Sequence, residues 1–214
     1  MGADSLKKCD LVFGICWYDD PSIIRCLDSL PEEAPKIIVD GRFSLLDSAS
    51  DLSDQTLRDA VNSYPNVTMI DAPGLPEPRK REKYLENDHR YLFIIDSDEF
   101  VISADWERFA EQVSKLDCGI HSIPFQDENG NKYGTYPRVW CNPSDWGYWE
   151  THNIFVNKKT GEMIRSSNAL GITLDAVTCT MNDEMRTKEY IKAVYDYQVK
   201  MISHEKPYRK QVRY

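Results

Sequence analysis

The segment of this chain best suited to chemistry is the acidic triplet Asp96-Ser97-Asp98, which directly follows the apolar residues 91–95. Two carboxylates two positions apart at the end of a strand can converge on one divalent cation, directly or through water. Mg²⁺ and Mn²⁺ prefer such oxygen ligands and keep coordination positions open for substrate phosphates. The triplet therefore predicts a Mn²⁺ or Mg²⁺ site formed by Asp96 and Asp98.

A basic segment, residues 78–83 with the sequence PRKREK, precedes this triplet by about one helix length. Near the strand ends, cations at the start of a helix can hold a diphosphate or a nucleobase. We expect Arg79 and Arg81 to contact such a ligand, although residues two apart do not share a helix face, and we do not expect Lys80 to do so. A basic helix that faces solvent is the alternative interpretation.

The elements that must position these residues alternate between strand and helix. Unbroken apolar runs of strand length favour a parallel sheet covered by helices, and ligands of such sheets bind at the carboxyl ends of the strands. The predicted strands are 11–16, 36–41, 66–74 and 90–101, and the predicted helices are 21–30, 53–63, 79–87 and 105–116. The polar residues at the carboxyl ends of these four segments are Tyr18, Asp19, Asp40, Asp71, Asp96 and Asp98.

The pattern changes after about residue 118. A strand over 119–125, a hairpin turn over 127–134 and a late helix over 186–201 indicate a smaller mixed or antiparallel part. The sequence shows no linker between independent units. We predict a single α/β domain over 1–214, with a parallel-sheet half at about 9–117 and a mixed half at about 118–214.

The order of these parts resembles that of the GT-A fold glycosyltransferases, in particular the DxD-containing, family 2-like group. The segments that carry the resemblance are FGICWYDDPSIIRCLDSL, IIVDG, RKREKYLE and YLFIIDSDEF, so that it covers residues 11–101 and continues weakly to Tyr190. It implies a Rossmann-like GT-A domain with a mostly parallel central sheet and a UDP- or GDP-sugar donor. It also implies that the half at about 9–117 binds the nucleotide sugar and that the half at about 118–214 is the acceptor side. The residues that it assigns to the donor are Tyr18, Asp40, Arg79, Arg81, Asp96, Ser97 and Asp98.

Several members of that fold use a late histidine as a third metal ligand, and His204 is the candidate here. The family often places this histidine just before an arginine-led helix, where this chain has TCTMND instead. Many family 2 members also carry an acidic pair with the catalytic base, and the motif order leaves the position of that pair in this sequence open.

An aromatic stretch around residue 150 is the predicted acceptor site. Sugar rings have apolar faces that lie well on indole and phenol rings, and a carboxylate can take a hydroxyl proton. We expect Glu150 to be the catalytic base and Trp146, Trp149 and His152 to bind the acceptor. The alternative is a core aromatic cluster with a surface acid. If Glu150 is not the base, Asp145 and Asp127 are the next candidates.

Composition excludes several classes of protein. With 41% hydrophobic and 11% aromatic residues the chain is too apolar to be disordered, and a net charge of −9 argues against a nucleic-acid partner. Its apolar runs are strand-sized, which predicts no transmembrane segment, and we expect no signal peptide. Six cysteines without a CxxC pair indicate reduced thiols and a cytoplasmic location.

These features together predict a hexosyltransferase-type enzyme of polysaccharide biosynthesis that moves a sugar from a nucleotide-diphosphate sugar to a hydroxyl of a glycan or glycoconjugate, with inversion. One alternative is a haloacid-dehalogenase-type phosphohydrolase with Asp96 as nucleophile and Asp98 as acid, although that motif usually opens its domain. Another is a non-catalytic glycan-binding module.

Overall fold

A computed structural model of the chain describes residues 6, 9–41, 52–127, 129–149, 154–166 and 171–181. The strands in this part are β1 (Leu11–Trp17), β2 (Lys36–Asp40), β3 (Val67–Asp71), β4 (Tyr91–Asp96), β5 (Glu99–Ala104), β6 (Ile120–Gln126), β7 (Lys132–Cys141), β8 (Trp146–Tyr148), β9 (Ile154–Asn157), β10 (Met163–Arg165) and β11 (Val177–Met181). The α-helices are α1 (Ser22–Asp28), α2 (Gln55–Asn62), α3 (Glu77–Leu85) and α4 (Trp106–Ser114), and a 3₁₀ turn spans Pro143–Asp145.

In the described part of the chain, the strands form an eight-stranded mixed sheet and a small antiparallel sheet. The order of the large sheet is β3-β2-β1-β4-β7-β6-β11-β5, and that of the small sheet is β10-β9-β8. The α/β fold predicted from the sequence, with a central sheet, flanking helices and a smaller antiparallel part, is confirmed. The division into a donor-binding half and an acceptor-side half stays a prediction.

The four strands β3-β2-β1-β4 are parallel to one another. β1 is buried along its whole length, as expected of an apolar strand that is covered on both faces. Trp17 of β1 pairs with Asp40 on one side, and Cys16 pairs with Asp96 on the other. Asp40 and Asp96 therefore end strands that flank β1, roughly 10 Å apart across two strand spacings.

The predicted strand over 90–101 is two strands in the structure. β4 ends at Asp96, residues 97–98 form a turn, and β5 begins at Glu99 and pairs with β11 at the far edge of the sheet. The backbone N–H of Asp96 donates a hydrogen bond of 3.0 Å to Oε2 of Glu99, which closes the turn. The acidic triplet thus lies at a true strand end.

Helix α3, which carries the basic segment, lies directly on the sheet. A Cβ atom on Gly14 of β1 would stand 2.9 Å from the ring of Tyr84 and from the side chain of Leu92, so only glycine allows this approach. Tyr84 is fully buried in a cluster with Val12, Leu92 and Ile94 on this face of the sheet. The close contact fixes α3 over the ends of β1 and β4.

The remaining helices also follow the sequence pattern. The side chain of Asp54 accepts a hydrogen bond from the N–H of Thr56 at the start of α2, and that of Asp105 caps α4 by accepting from the N–H of Arg108. The helices are short, seven to nine residues each. None within the described ranges has the length and apolarity needed to cross a membrane.

Candidate active site

Asp40, at the carboxyl end of β2, is the centre of one group of polar contacts. Its side chain is fully buried and accepts hydrogen bonds from the backbone N–H and the hydroxyl of Ser53, the latter at 2.5 Å. It also forms an ion pair with Arg58 of α2, whose second amino group lies 2.7 Å from Asp71. Arg58 therefore joins the acids that end β2 and β3. Ser53 and Arg58 cover the Asp40 carboxylate. A ligand at this edge would therefore contact Ser53 and Arg58 and not Asp40 itself.

The loop after β1 is tied to the ends of both neighbouring strands. The N–H of Asp19 donates to the hydroxyl of Ser53 at 2.7 Å, which connects the loop to Asp40. On the other side, the hydroxyl of Ser97 donates to Oδ2 of Asp20 at 3.1 Å. Tyr18 is half-buried in this loop. The structure thus brings Tyr18, Asp40 and Ser97 to one edge of the sheet, as the sequence predicts.

Lys80 of helix α3 points into the protein, at the ends of β1 and β2. Lys80 is fully buried, and its ammonium donates to the backbone carbonyl oxygens of Trp17 and, at 2.6 Å, of Gly41. Burial lowers the pKa of Lys80, an effect that the charge of nearby Asp40 opposes. Lys80 therefore does not face solvent. The alternative interpretation, a basic helix that faces solvent, is wrong for this residue. Lys80 clamps the ends of β1 and β2 together.

Arg81 lies almost buried between two carboxylates. Its Nε is 3.0 Å from Glu77 one turn back, and its Nη1 is 2.6 Å from Oδ1 of Asp96. Burial acts to lower the pKa of Arg81, but the charges of Asp96 and Glu77 outweigh it and hold the pKa well above its ordinary value. Arg79, by contrast, is 57% exposed and pairs with Glu82 at 2.6 Å. Of the two predicted arginines, the structure brings Arg81 to the acidic triplet and turns Arg79 outward.

A second arginine reaches the acidic triplet from β7. Arg138 lies 2.5 Å from Oε1 of Glu99 and 3.7 Å from Oδ2 of Asp96. Glu99 is 1% exposed, and burial raises its pKa while Arg138 acts to lower it. Four charges of alternating sign, those of Arg81, Asp96, Arg138 and Glu99, thus form one network at the end of β4.

The oxygen atoms of this turn suit a hard divalent cation that brings further ligands with it. Asp96 and Asp98 supply carboxylates, and the contact of Ser97 holds Asp20 beside them. Asp96 already pairs with two guanidinium groups, and within the described ranges no three His, Cys, Asp or Glu side chains are grouped to hold an ion alone. Oxygen ligands of this kind suit Mg²⁺ or Mn²⁺, which often keep coordination positions open for water and phosphate oxygens.

A cavity of about 230 Å³ opens next to this network. Its charged wall is formed by Arg81, Asp96, Glu99 and Arg138, and its aromatic wall includes Trp140, Tyr148 and Phe155. The three aromatic rings pack on one another with centroids 4.7 to 5.8 Å apart. The arrangement places charges able to hold a phosphate beside an apolar surface able to hold a sugar ring.

Of the predicted acceptor residues, the two that the structure describes, Trp146 and Trp149, do not line this cavity. Trp146 is 4% exposed and packs edge-on against Trp140 in the core, which favours the core interpretation of this residue. Trp149 is half-buried, directly after Tyr148 of the cavity wall. Glu150, His152 and His204 lie outside the described residues, as does the predicted helix over 186–201.

Sequence reasoning missed Ser53, Arg58, Glu99 and Arg138. Ser53 and Arg58 both fall in the helix predicted over 53–63, whose apolar spacing indicates only its core face; in the structure Ser53 precedes the helix and Arg58 lies within it. Glu99 directly follows the triplet, so its proximity to Asp96 was available as a signal. Arg138 is a lone cation in an aromatic stretch 42 residues after Asp96, and nothing local marks it.

No protein-family model matches this sequence, and no curated protein matches it. Solved structures do match. S. aureus TarS in complex with UDP-GlcNAc is 14% identical with a TM-score of 0.53, and the match covers 80% of this chain and 58% of that one. The mannosyltransferase PcManGT from Pyrobaculum calidifontis, in complex with GDP-Man and Mn²⁺, is 16% identical with a TM-score of 0.41, over 55% of this chain and 36% of that one. The likeness to TarS shows a shared fold, and the chain spans 58% of the length of that structure.

Proposed function

We propose that this protein is a metal-dependent glycosyltransferase that moves a sugar from a nucleotide-diphosphate sugar to a hydroxyl of a glycan or other acceptor. The observation that carries the proposal is the placement of Asp40 and the Asp96–Asp98 turn at the carboxyl ends of parallel strands, with Arg58 and Arg81 paired to them. Ligands of such sheets bind at this edge. The shared fold with TarS, a protein seen with UDP-GlcNAc, supports the same conclusion.

The nucleoside is assigned to the β1–β2 side of the edge. Arg58 and Ser53 cover Asp40 there, and Tyr18 lies in the adjoining loop. A guanidinium and a hydroxyl can hydrogen-bond a base or a ribose, and a phenol ring can stack on a base. Asp40 then acts as a positioning residue, because it holds Arg58 and Ser53 in place from beneath.

The diphosphate is assigned to the β4 side. Arg81 and Arg138 converge there on Asp96, so two guanidinium groups lie within reach of a phosphate that approaches the turn. A divalent cation at Asp96 and Asp98 would neutralise the negative charge that develops on the leaving diphosphate. Preorganised charges of this kind need no rearrangement during the reaction.

The transferred sugar and the acceptor are assigned to the cavity and its mouth. Tyr148 lines the cavity, and Trp149 and Glu150 are the next two residues in the sequence. In an inverting displacement, Glu150 takes the proton of the acceptor hydroxyl as that oxygen bonds to the anomeric carbon. The bond to the diphosphate breaks on the opposite side, and the nucleoside diphosphate leaves. The role of Trp149 and His152 is to hold the acceptor sugar.

A thermal-unfolding panel with UDP, GDP and their sugars, each with Mn²⁺ and with chelator, tests this proposal. A ligand at a hundred times its Kd stabilises the native state by about 2.7 kcal/mol, which for a chain of this size is roughly 5–11 °C in Tm. We expect one nucleotide family to raise Tm, and to raise it more with Mn²⁺. Phosphate release from a phosphomonoester, with sugar nucleotides inert, would instead support the phosphohydrolase alternative.

Asp98→Asn is the variant that tests the metal role, with Asp28→Asn as its matched control. Both changes remove one carboxylate charge, but Asp28 is an exposed residue that bonds to the hydroxyl of Tyr64, on α1 away from the acidic triplet. Asp98→Asn should remain folded and lose the Mn²⁺ dependence of nucleotide binding and of transfer, whereas Asp28→Asn should keep both. Full transfer activity in excess chelator would rule out the metal role.

A further inference from the structure

Glu99 connects the end of β4 with an arginine of β7. Its Oε2 accepts the backbone N–H of Asp96 at 3.0 Å, and its Oε1 accepts a hydrogen bond from Nη2 of Arg138 at 2.5 Å. The carboxylate therefore lies between the backbone of the acidic triplet and a guanidinium that belongs to another strand. Because a carboxylate group is planar and rigid, these two hydrogen bonds fix the position of the guanidinium relative to the triplet.

Arg138 depends on Glu99 for this position. Its Nη2 lies 3.7 Å from Oδ2 of Asp96, which is beyond hydrogen-bond range, so Asp96 does not orient the guanidinium. The hydrogen bond from Nη1 to the carbonyl oxygen of Pro137 is long, at 3.5 Å, and the ring of Phe125, 5.3 Å away, offers a contact without a fixed direction. The short bond to Glu99 is therefore the contact that sets the direction of the guanidinium plane.

The two members of this pair differ in what they can contact. Glu99 is 1% exposed and both of its oxygens accept hydrogen bonds, so it is poorly placed to bind a metal ion, and its charge would repel a phosphate. The side chain of Arg138 is 15% exposed and lines the cavity beside Asp96. A guanidinium carries five N–H donors in one plane, and the pair with Glu99 does not use all of them. Any effect of Glu99 on a bound diphosphate therefore passes through Arg138 or through the backbone of the triplet.

We infer that Glu99 is a positioning residue of the diphosphate site, and that it acts by holding the guanidinium of Arg138 at a set distance from the acidic triplet. The inference rests on the proposed function, because it takes the diphosphate to bind beside Asp96 and Arg138. A cation that is already oriented needs no rearrangement when the phosphate binds. Without the charge of Glu99, the guanidinium of Arg138 stays in the same strand but loses its fixed direction.

The test measures the Kd of UDP for the whole chain in the presence of Mn²⁺, with GDP in its place if the wild type binds guanine nucleotides. Glu99→Gln keeps the shape of the side chain and removes its charge. We expect this variant to raise the Kd at least about tenfold, because an oriented hydrogen bond to a charged phosphate is lost. The matching nucleoside, which lacks the diphosphate, should bind the variant as it binds the wild type. Equal losses for nucleoside and nucleotide would mean a general loss of structure and would overturn the inference.

Arg138→Gln and the double variant show whether Glu99 acts through Arg138. Arg138→Gln should by itself raise the Kd of UDP at least about tenfold. The double variant should bind UDP within about twofold of Arg138→Gln, because Glu99 then has no guanidinium to position. Losses that multiply in the double variant would show that Glu99 acts by another route, which contradicts the inference. An unchanged Kd in a folded Glu99→Gln protein contradicts it as well.

Glu99→Asp provides the same test if Glu99→Gln does not fold. This variant retains the charge and shortens the side chain by one methylene group, so its carboxylate reaches Arg138 only if the guanidinium moves. Because a displacement of about 1 Å at such a site is costly, the Kd of UDP should rise about tenfold. A Kd equal to that of the wild type would refute the role of a set distance.

Asp10→Asn is the matched control. Asp10 accepts the backbone N–H of Arg90 at 2.9 Å and pairs with His89 at 2.7 Å, at the opposite end of β4. The change therefore removes a carboxylate with the same two kinds of partner, far from the acidic triplet. It should leave the Kd of UDP as in the wild type, and a loss equal to that of Glu99→Gln would count against the inference.

The proposed function and this inference fail in different ways. A wild-type chain that binds neither UDP nor GDP overturns the proposed function, and the inference with it. A wild-type chain that binds one of them, with the same Kd in a folded Glu99→Gln protein, keeps the proposed function and loses only the role of Glu99.

Discussion

Substitutions of Asp40 and Asp71 compare a buried and an exposed carboxylate that pair with the same arginine. Asp40 and Asp71 share the same guanidinium of Arg58, but their exposure differs: the side chain of Asp40 is fully buried and that of Asp71 is 53% exposed. Asp40 also accepts two hydrogen bonds from Ser53. Alanine at position 40 therefore leaves a guanidinium, a hydroxyl and a backbone N–H without their buried acceptor.

The expected magnitudes differ accordingly. Removal of one partner from a buried ion pair costs about 3–5 kcal/mol, so Asp40→Ala should lower Tm by roughly 6–20 °C. Asp71→Ala removes a largely exposed pair, worth about 0–1 kcal/mol. Asp40→Asn keeps an acceptor for Ser53 and loses only the charge, which places its cost between these two, at about 1.5–3 kcal/mol. These costs mean that Asp40→Ala is unsuited to a binding assay and that Asp40→Asn is the informative variant.

The assay is thermal unfolding of the three variants and the wild type, alone and with the nucleotide that stabilises the wild type. Asp40→Asn should bind that nucleotide more weakly, because Arg58 is no longer held at the edge of the sheet. Asp71→Ala should stay within about 1 kcal/mol of the wild type in stability. Equal melting temperatures for Asp40→Ala and Asp71→Ala would refute the argument that burial decides the strength of these two pairs.

Two further predictions follow from the structure. Arg81→Lys keeps the charge but not the planar guanidinium, and it should weaken binding of the nucleoside diphosphate at least tenfold. Arg79 faces outward, so Arg79→Ala should change this affinity less than about twofold. Negligible effects at both positions would mean that the basic helix has only a structural role. Hydrogen bonds from Gln112 and Arg108 lower the pKa of Asp175 in the folded state, so the stability it contributes is present above its ordinary pKa and is lost as pH falls through the lowered value. Asp175→Asn should therefore flatten the acid side of a plot of Tm against pH between about 5 and 3, and an unchanged slope would contradict this assignment.

The sequence was sufficient wherever a feature depends on neighbouring residues. Unbroken apolar runs identified β1, β2, β3 and β4, and an acid at the end of a run identified Asp40 and Asp96. The strand period and the helix period act over a few residues, so both can be recognised without knowledge of the rest of the fold. The parallel order of these strands then followed from short α/β connections.

The sequence was insufficient where burial or a distant partner decides the role of a residue. Lys80 stands in a run of charged residues that reads as a surface, yet it is fully buried because Gly14 lets α3 approach the sheet. The sequence predicts one strand where the structure has β4 and β5, because both are apolar. Only the pairing of β5 with β11 separates them.

What the sequence by itself determined is therefore the α/β fold and the acids at the edge of its parallel strands. What only the tertiary structure decided is which cations meet those acids. Arg58 is 18 residues from Asp40, and Arg138 is 39 residues from Glu99. A long side chain pairs with whichever charge the packing brings within about 4 Å, and no local pattern specifies that charge. The strand order of the sheet brings β7 beside β4. That order therefore decides which acids Arg138 contacts, and it also decides the shape of the cavity.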